Sequence, residues 1–262
     1  MARKNSIQPE VRKKMILKHL DKFESITIKE TARICSVSEI TARRDLDDLE
    51  SEGLLIRTFG GAVKSKLIPY LFSYENKEVH NREKKVEIAK LASTFVKDND
   101  ILFLGCGTTV VHLAKFIIGF KNLRVITNSL PVVSELIHYP NIKINLLGGD
   151  LDHERRACYG PATERFIQSY KANKAFLGAA GISLRNGLSS NDEKEGTIAR
   201  IMAESAEQVF ILCDSSKIER DAYVKHAPLS VMDYLITDKD IHPEVIRIYK
   251  KKRSKCYSDQ IN

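Results

Sequence analysis

The sequence has no long apolar run and few residues arranged to cross-link it or to hold a metal. No apolar segment reaches the ~18 residues that a transmembrane helix needs, and the charged N-terminus lacks the apolar core of a signal peptide. The five cysteines are odd in number, widely spaced and without a CxxC pair, which argues against disulfide scaffolds and zinc fingers. We therefore expect a cytoplasmic protein with no membrane partner, no metal and no cofactor.

The length and the positive charge of the chain indicate its domain organisation and its class of partner. Its 262 residues are 43% hydrophobic, which is enough for a full core, and the length favours two unequal domains. Lys and Arg number 42 against 34 Asp and Glu, which leaves a formal net charge of +8. That excess suits an anionic partner, either a nucleic acid or a phosphorylated metabolite.

The first 63 residues carry a close series of helix signals. Apolar residues at helical spacing predict an amphipathic helix over 9–23, with basic residues such as Arg12 on its solvent side. Thr27 and Glu30 have the spacing of a capping box, which predicts a second helix to about Cys35. A third helix over 39–52 then follows a Ser38 cap and ends at Gly53.

The third helix presents one face to the core and the other to solvent. Ala42, Leu46 and Leu49 stand at i, i+4 and i+7, so the opposite face carries Ile40, Thr41 and the Arg43-Arg44 pair. Such side chains suit phosphates and base edges in a major groove, although an isolated arginine pair more often decorates a solvated helix. The glycine turn Phe59-Gly60-Gly61, between two short apolar strands, predicts a wing.

The run from Val37 to Gly53, followed by Arg57-x-x-Gly60-Gly61-Ala62, closely resembles the DeoR-type winged helix-turn-helix. The resemblance implies double-stranded operator DNA as a partner. It assigns DNA contacts to Ser38, Ile40, Thr41, Arg43, Arg44, Arg57, Gly60 and Gly61. Two positions depart from the family pattern, because Ala42 replaces a larger Ile or Val and Phe59 replaces a common His.

Beyond residue 83, helices alternate with short apolar strands. The pattern predicts helices at 84–96, 110–118, 130–139 and 194–205, and strands at 101–104, 125–127, 142–147, 175–179, 209–213 and 234–237. Such alternation indicates an α/β domain with a mainly parallel sheet covered on both faces, whose ligands gather beyond the strand C-termini. We thus expect a winged helix-turn-helix at 1–63, a partly ordered linker at 64–82 and an effector-sensing domain at 83–262.

Small polar residues follow several of the predicted strands. Gly105-Cys106-Gly107-Thr108-Thr109 runs into a helix, which suits phosphate, but it lacks the P-loop lysine and the third glycine of a dinucleotide fingerprint. Asn128, the Gly148-Gly149 pair and Lys217 follow other strands and add an amide and a cation. Each of them alone also fits ordinary turn chemistry, with no ligand.

These segments resemble the C-terminal sensor domain of DeoR-family regulators, whose fold is similar to ribose-5-phosphate isomerase and whose usual effectors are phosphorylated sugars. The resemblance implies effector contacts at Gly107, Thr108, Thr109, Asn128, Gly148, Gly149 and Lys217. Gly105 and Asn173 stand where the family often has Asp. Their neutrality implies altered hydroxyl contacts to the effector.

Three functions follow from this sequence. The first is a transcriptional regulator, a repressor of a carbohydrate-metabolism operon, whose DNA binding responds to a phosphorylated sugar. The second is a sugar-phosphate isomerase-like enzyme with a DNA-binding module, although no carboxylate has the spacing of a convincing base. The third is a DNA-binding protein with a decayed effector site. Paired operator half-sites imply a homo-oligomer, a dimer or tetramer.

Overall fold

The computed structural model describes residues 8–23, 25–51, 55–64, 74–251 and 255–258. These residues form two compact units, divided between positions 71 and 72. None of the helices in the described part has the length and apolarity needed to cross a bilayer. Residues 65–73 of the predicted linker lie outside the described residues, and the division into three segments stays a prediction.

The first unit is a winged helix-turn-helix, as predicted. Its elements are α1 (Pro9–Phe23), β1 (Ser25–Thr27), α2 (Ile28–Cys35), α3 (Glu39–Ser51), β2 (Leu55–Thr58) and β3 (Gly61–Lys64). The strands pair in the order β1-β3-β2, antiparallel throughout. The Thr27–Glu30 capping box forms, and Ala42, Leu46 and Leu49 are fully buried. The predicted end of α3 at Gly53 lies outside the described residues.

One prediction for α1 is wrong. Arg12 does not face solvent: its Nε and Nη2 donate to the two Asp45 carboxylate oxygens at 2.6 and 2.7 Å, and both residues are buried. Two parallel bonds to one carboxylate satisfy a guanidinium inside a core. The helix is rotated accordingly, so that Val11 and Phe23 of the expected apolar face are about half exposed.

The second unit contains the predicted α/β layers. Its helices are α4 (Tyr74–Val79), α5 (Arg82–Ser93), α6 (Thr108–Phe116), α7 (Leu130–Leu136), α8 (Pro161–Gln168), α9 (Glu193–Glu204) and α10 (Pro243–Lys251). Its strands are β4 (Ile101–Leu104), β5 (Leu123–Thr127), β6 (Ile142–Leu146), β7 (Asp150–Asp152), β8 (Ala157–Tyr159), β9 (Ala172–Gly178), β10 (Gly181–Ser183), β11 (Gly187–Ser190), β12 (Ala206–Leu212), β13 (Val224–Ala227), β14 (Tyr234–Ile236) and β15 (Lys255–Tyr257).

A parallel sheet in the order β15-β14-β12-β9-β4-β5-β6 forms the centre of this unit. Side chains alternate between its faces, so that Leu102 and Leu104 join the core under α5 to α7, whereas Phe103 joins the core under α8 to α10. The prediction of a sheet covered on both faces is confirmed. The hairpin β7-β8 and the small sheet β10-β11-β13 were not predicted, because their strands are short.

The strand order reverses at β4. The chain runs from β4 outward through β5 to β6, and then returns to place β9 on the other side of β4. In parallel α/β sheets, the crevice beyond the carboxyl ends at such a switch point is the usual ligand site. The fold therefore places Gly107, three residues after β4, next to Gly178 at the end of β9.

Candidate DNA-binding and effector sites

The solvent face of α3 carries the predicted groove contacts. The Ser38 Oγ accepts a hydrogen bond from the Thr41 N–H at 3.2 Å, which caps the helix at its N-terminus. Beyond this cap, the Ile40 side chain is 81% exposed, and Arg43 and Arg44 are exposed as well. An apolar side chain next to two cations on a capped helix matches thymine methyl, guanine and phosphate contacts.

Arg57 attaches the wing to this helix. Its Nε donates to the Asp47 Oδ1 at 2.8 Å, its Nη1 donates to the Gly61 carbonyl at 2.5 Å, and its backbone N–H donates to the Glu50 Oε1 at 2.8 Å. The guanidinium thus has protein partners on two sides. The geometry supports a positioning role for Arg57 in the wing.

The two wing glycines have different surroundings. A Cβ at Gly61 would lie 2.0 Å from the Ile26 carbonyl oxygen, whereas a Cβ at Gly60 would meet open space. Gly61 is buried where β3 approaches β1, so its surroundings support a packing role.

Phe59 at the tip of the turn is fully exposed. An exposed aromatic side chain on a hairpin that Arg57 holds in place is an additional candidate for DNA contact.

In the second unit, the segment predicted to form a phosphate cradle lies at the β4–β9 switch point. The Gly105 N–H donates to the Phe176 carbonyl at 3.1 Å, and a Cβ at Gly107 would lie 3.7 Å from the Gly178 Cα. Gly107 is the N-cap of α6, and no side chain of the described residues caps this helix end. The N–H groups of the first turn, with the hydroxyls of Thr108 and Thr109, suit an anion.

Two lysines bring positive charge to this cradle. Lys85 on α5 is 2% exposed, and desolvation together with the nearby charge of Lys217 lowers its pKa to about 8. The Lys217 Nζ lies 3.2 Å from the Oδ2 of the fully buried Asp214. Burial opposes the charge on Lys217, but the neighbouring Cys213, Asp214 and Glu195 together outweigh burial and hold the lysine pKa above its ordinary value.

Glu195 on α9 brings a negative charge to the same crevice. Its Oε2 lies 3.7 Å from the Lys77 Nζ, and it lines the pocket together with Gly105, Cys106, Gly107 and Gly178. The Cys106 Sγ lies 3.2 Å from the Tyr159 hydroxyl, and desolvation raises the pKa of this thiol to about 11. Cys106 is therefore a packing thiol at neutral pH.

The remaining predicted effector residues lie at the ends of β5 and β6. Asn128 is fully buried, and its Nδ2 donates to the Cys158 carbonyl at 2.8 Å. The Gly148 carbonyl accepts from the Thr163 hydroxyl at 2.8 Å, and a Cβ at Gly149 would lie 2.1 Å from the Thr163 Oγ1. These contacts support packing roles, and an effector contact at these three residues stays a prediction.

The expectation that the neutral Asn173 alters effector contacts is wrong. Asn173 is the second residue of β9, where its Oδ1 accepts from the Ile101 N–H at 2.9 Å at the start of β4. It lies five residues before Gly178, roughly 16 Å away along an extended strand. A side chain at the amino edge of the sheet cannot contact a ligand at the carboxyl edge.

Sequence reasoning missed Lys77 and Lys85, whereas it did name Glu195 among the carboxylates considered as a base. The adjacent Lys84 and Lys85 look equivalent in sequence, yet the Lys84 Nζ pairs with Asp238 and Asp240 at 3.2 and 2.9 Å, away from the α6 N-terminus. Which lysine faces the cradle depends on the rotation of α5 against the sheet. The buried position of Lys85 on an otherwise apolar helix face is the signal that identifies it.

The chain is similar to known proteins in both units. A family model described as the DeoR C terminal sensor domain matches residues 80–239, and one described as a DeoR-like helix-turn-helix domain matches residues 12–66. A lactose phosphotransferase system repressor of Lactococcus lactis subsp. lactis is 37% identical, over 89% of this chain and 93% of that protein. The HTH-type transcriptional repressor GlcR of Bacillus subtilis (strain 168) is 36% identical, over 86% of each chain. Ribose 5-phosphate isomerase A from Methanocaldococcus jannaschii matches 53% of this chain and 55% of its own, at a TM-score of 0.39 and 20% identity.

Proposed function

Because this chain belongs to the DeoR family of helix-turn-helix transcriptional regulators, we propose that it controls a carbohydrate-metabolism operon as a repressor. In this proposal, the winged helix-turn-helix binds operator DNA, and a phosphorylated sugar in the second unit changes that binding. Two similar proteins support this proposal, because one is named a lactose phosphotransferase system repressor and the other the transcriptional repressor GlcR.

One observation carries the effector part of the proposal. Lys85 Nζ and the hydroxyl of Thr108, the first residue of α6, donate to the same Lys77 carbonyl oxygen. The charge of Lys217 is also close enough to lower the pKa of Lys85. The Asp214 carboxylate offsets part of the repulsion between these two like charges, and an anion bound next to the helix N-terminus would offset more of it. A phosphoryl group supplies two negative charges and several acceptor oxygens, which fits this arrangement.

On the DNA side, Arg43 and Arg44 are proposed as the principal groove contacts. Thr41 and Ile40 add a hydroxyl and an apolar contact, and Ser38 contributes through the N-terminus that it caps. Gly60 lies exposed at the wing turn, where its backbone can approach a phosphate. Arg57 and Gly61 then act indirectly, by holding the wing against α3 and β1.

We infer that the second unit binds its ligand without converting it. The two carboxylates near the cradle both have cationic partners, Glu195 with Lys77 and Asp214 with Lys217. Burial opposes the charged form of Asp214, but Lys217 and the hydrogen bonds from Ser216 together outweigh burial and lower the pKa of this carboxyl, which makes it a weak base. Incubation with pentose and hexose phosphates is expected to give no isomerisation above background, and measurable turnover would overturn this inference.

A mobility shift assay tests the proposal directly. The wild-type protein is titrated on DNA from upstream of its own gene, with a panel of sugar phosphates and with the same sugars unphosphorylated. We expect one phosphorylated sugar to change the DNA affinity, and its unphosphorylated form to have no effect. Lys217→Ala should keep its DNA affinity and lose this response. Lys115→Ala removes an equal charge from a partly exposed pair with Glu135 and should respond like the wild type.

Either of two results would contradict the proposal. Indifference of the wild-type protein to every phosphorylated sugar would favour a decayed effector site. A full response in Lys217→Ala would remove Lys217 from the site and leave the cradle without its proposed second cation.

A further inference from the structure

A short segment lies across the mouth of the cradle and is held at both ends. This segment, residues 74–81, is called the strap. At its first residue, the Tyr74 N–H donates to the Glu154 carbonyl at 2.9 Å, and the Arg156 guanidinium lies 5.2 Å from the Tyr74 ring centroid. At its last residue, the Asn81 Nδ2 donates to the Asp214 Oδ1 at 3.3 Å. The strap therefore spans from the β7-β8 hairpin to the loop after β12.

The centre of the strap uses the same groups that face the proposed effector. The Lys77 carbonyl accepts a hydrogen bond from the Lys85 Nζ and another, at 3.4 Å, from the Thr108 hydroxyl. Lys77 lies in the last turn of α4. Lys85 and Thr108 thus satisfy a backbone oxygen of the strap in this structure.

We propose that the Lys77 carbonyl fills one oxygen position of the cradle in the free protein, and that a bound phosphoryl group replaces it and releases the strap. This inference rests on the proposed function, since it takes the cradle as the effector site. A phosphoryl oxygen carries charge and a carbonyl oxygen does not, so the bond from the Lys85 ammonium strengthens on exchange.

The Lys77 side chain makes a second contact that holds the strap over the cradle. Its ammonium pairs with Glu195 across the crevice at 3.7 Å, with both side chains about one quarter exposed. A phosphoryl group that displaces the strap must also break this pair, so the pair reduces the apparent affinity for the ligand. Removing it should therefore tighten phosphate binding, whereas removing a direct phosphate ligand would weaken it.

Hydrogen–deuterium exchange on the full chain tests strap release, with inorganic phosphate as the probe and chloride at equal ionic strength as the reference. We expect the amides of residues 74–81 to exchange severalfold faster when phosphate is bound. Lys217→Ala, which lacks a cradle cation, should show no change. Unchanged or slower exchange in the strap, at phosphate concentrations where calorimetry shows binding to the wild type, would overturn strap release and leave the proposed effector site intact. Failure of phosphate to bind at all would overturn both.

A second experiment measures phosphate affinity by calorimetry in Lys77→Met. Loss of a partly exposed ion pair predicts binding that is roughly two- to fivefold tighter. Lys115→Met loses a comparable pair with Glu135 and one positive charge, and should bind like the wild type. Weaker binding in Lys77→Met would make its ammonium a direct ligand and contradict displacement of the strap, as would an unchanged affinity.

Discussion

At the scale of single residues, the charge state of Lys85 governs the cradle. Because the pKa of Lys85 is about 8, its amine is mostly charged at pH 7 and mostly neutral at pH 9. A neutral amine lacks the positive charge by which an ammonium attracts an anion. The affinity of the cradle for anions should therefore fall as the pH rises through this range. The direction follows from the lowered lysine pKa, which burial causes first and Lys217 second.

Sulfate is a suitable probe for this pH dependence, because its own charge does not change between pH 7 and pH 9. We expect the wild-type affinity for sulfate to fall severalfold over this interval. Lys85→Met should bind sulfate weakly at both values, with little pH dependence. A wild-type affinity that stays constant, or that rises with pH, would place Lys85 outside the anion site.

The two exposed arginines of α3 carry the next prediction. Arg43→Ala or Arg44→Ala should weaken operator binding by ~1 to 3 kcal/mol where the lost contact is to a base edge. A phosphate contact would instead reduce affinity about equally for all sequences and lower the salt dependence. Fluorescence anisotropy on operator and scrambled DNA separates these cases. Unchanged binding in both variants would reject α3 as the recognition helix.

Arg12 and Asp45 make a prediction about stability. Arg12→Ala leaves the buried Asp45 carboxylate without its two guanidinium bonds, which typically costs about 3 to 5 kcal/mol. Replacement of both residues, as Arg12→Met with Asp45→Leu, should recover much of the lost stability. Thermal unfolding of the wild type and the two variants measures this difference, and an Arg12→Ala variant as stable as the wild type would disprove the role of the pair.

At the scale of elements, the wing depends on one glycine and not on its neighbour. Gly61→Ala forces a Cβ to within 2.0 Å of the Ile26 carbonyl, so β1 and β3 must separate. We expect it to destabilise the first unit by about 1 to 3 kcal/mol, in the range of overpacked sites, and to weaken DNA binding. Gly60→Ala has open space and is the matched control. Equal stability of the two variants in urea would show that the β1–β3 approach is not tight.

The sequence predicted those elements whose pattern is local. α1 was predicted within its observed bounds and β4 likewise, because amphipathic periodicity and short apolar runs need no knowledge of tertiary partners. The strands of the β10-β11-β13 sheet were missed because each has only three or four residues. In addition, β13 pairs with β11 through residues far apart in the chain, such as Leu188 with Ala227. The burial of Arg12 was missed for the same reason, since its partner Asp45 lies 33 residues away.

The candidate sites divide in the same way. Glycines and hydroxyls that follow strands were visible as motifs, so Gly107, Thr108 and Lys217 could be proposed from sequence. Lys85 and Lys77 lie on helices that carry no such motif, and only the packing of α4 and α5 against α6 brings them to the cradle. The error at Asn173 is the opposite one, since a residue far from the cradle was expected to affect it. A departure from a family pattern does not reveal at which edge of the sheet the residue lies.

At the scale of the whole molecule, we propose a homo-oligomer that reads paired half-sites. Dimeric helix-turn-helix proteins place their recognition helices one or more turns of DNA apart. Light scattering should therefore give a mass of two or four chains of 29.7 kDa, with the same stoichiometry on a palindromic operator. A single chain bound to a single half-site at full affinity would contradict this arrangement.

The central claim is that DNA and a phosphorylated sugar bind one chain and affect each other. Thermodynamic linkage requires the factor by which the sugar phosphate changes operator affinity to equal the factor by which operator changes sugar-phosphate affinity. Paired titrations of the wild-type protein measure both factors. The account predicts equal factors in the range of roughly 5 to 150 that is usual for allosteric coupling. Operator affinity that is the same with and without saturating sugar phosphate would contradict it.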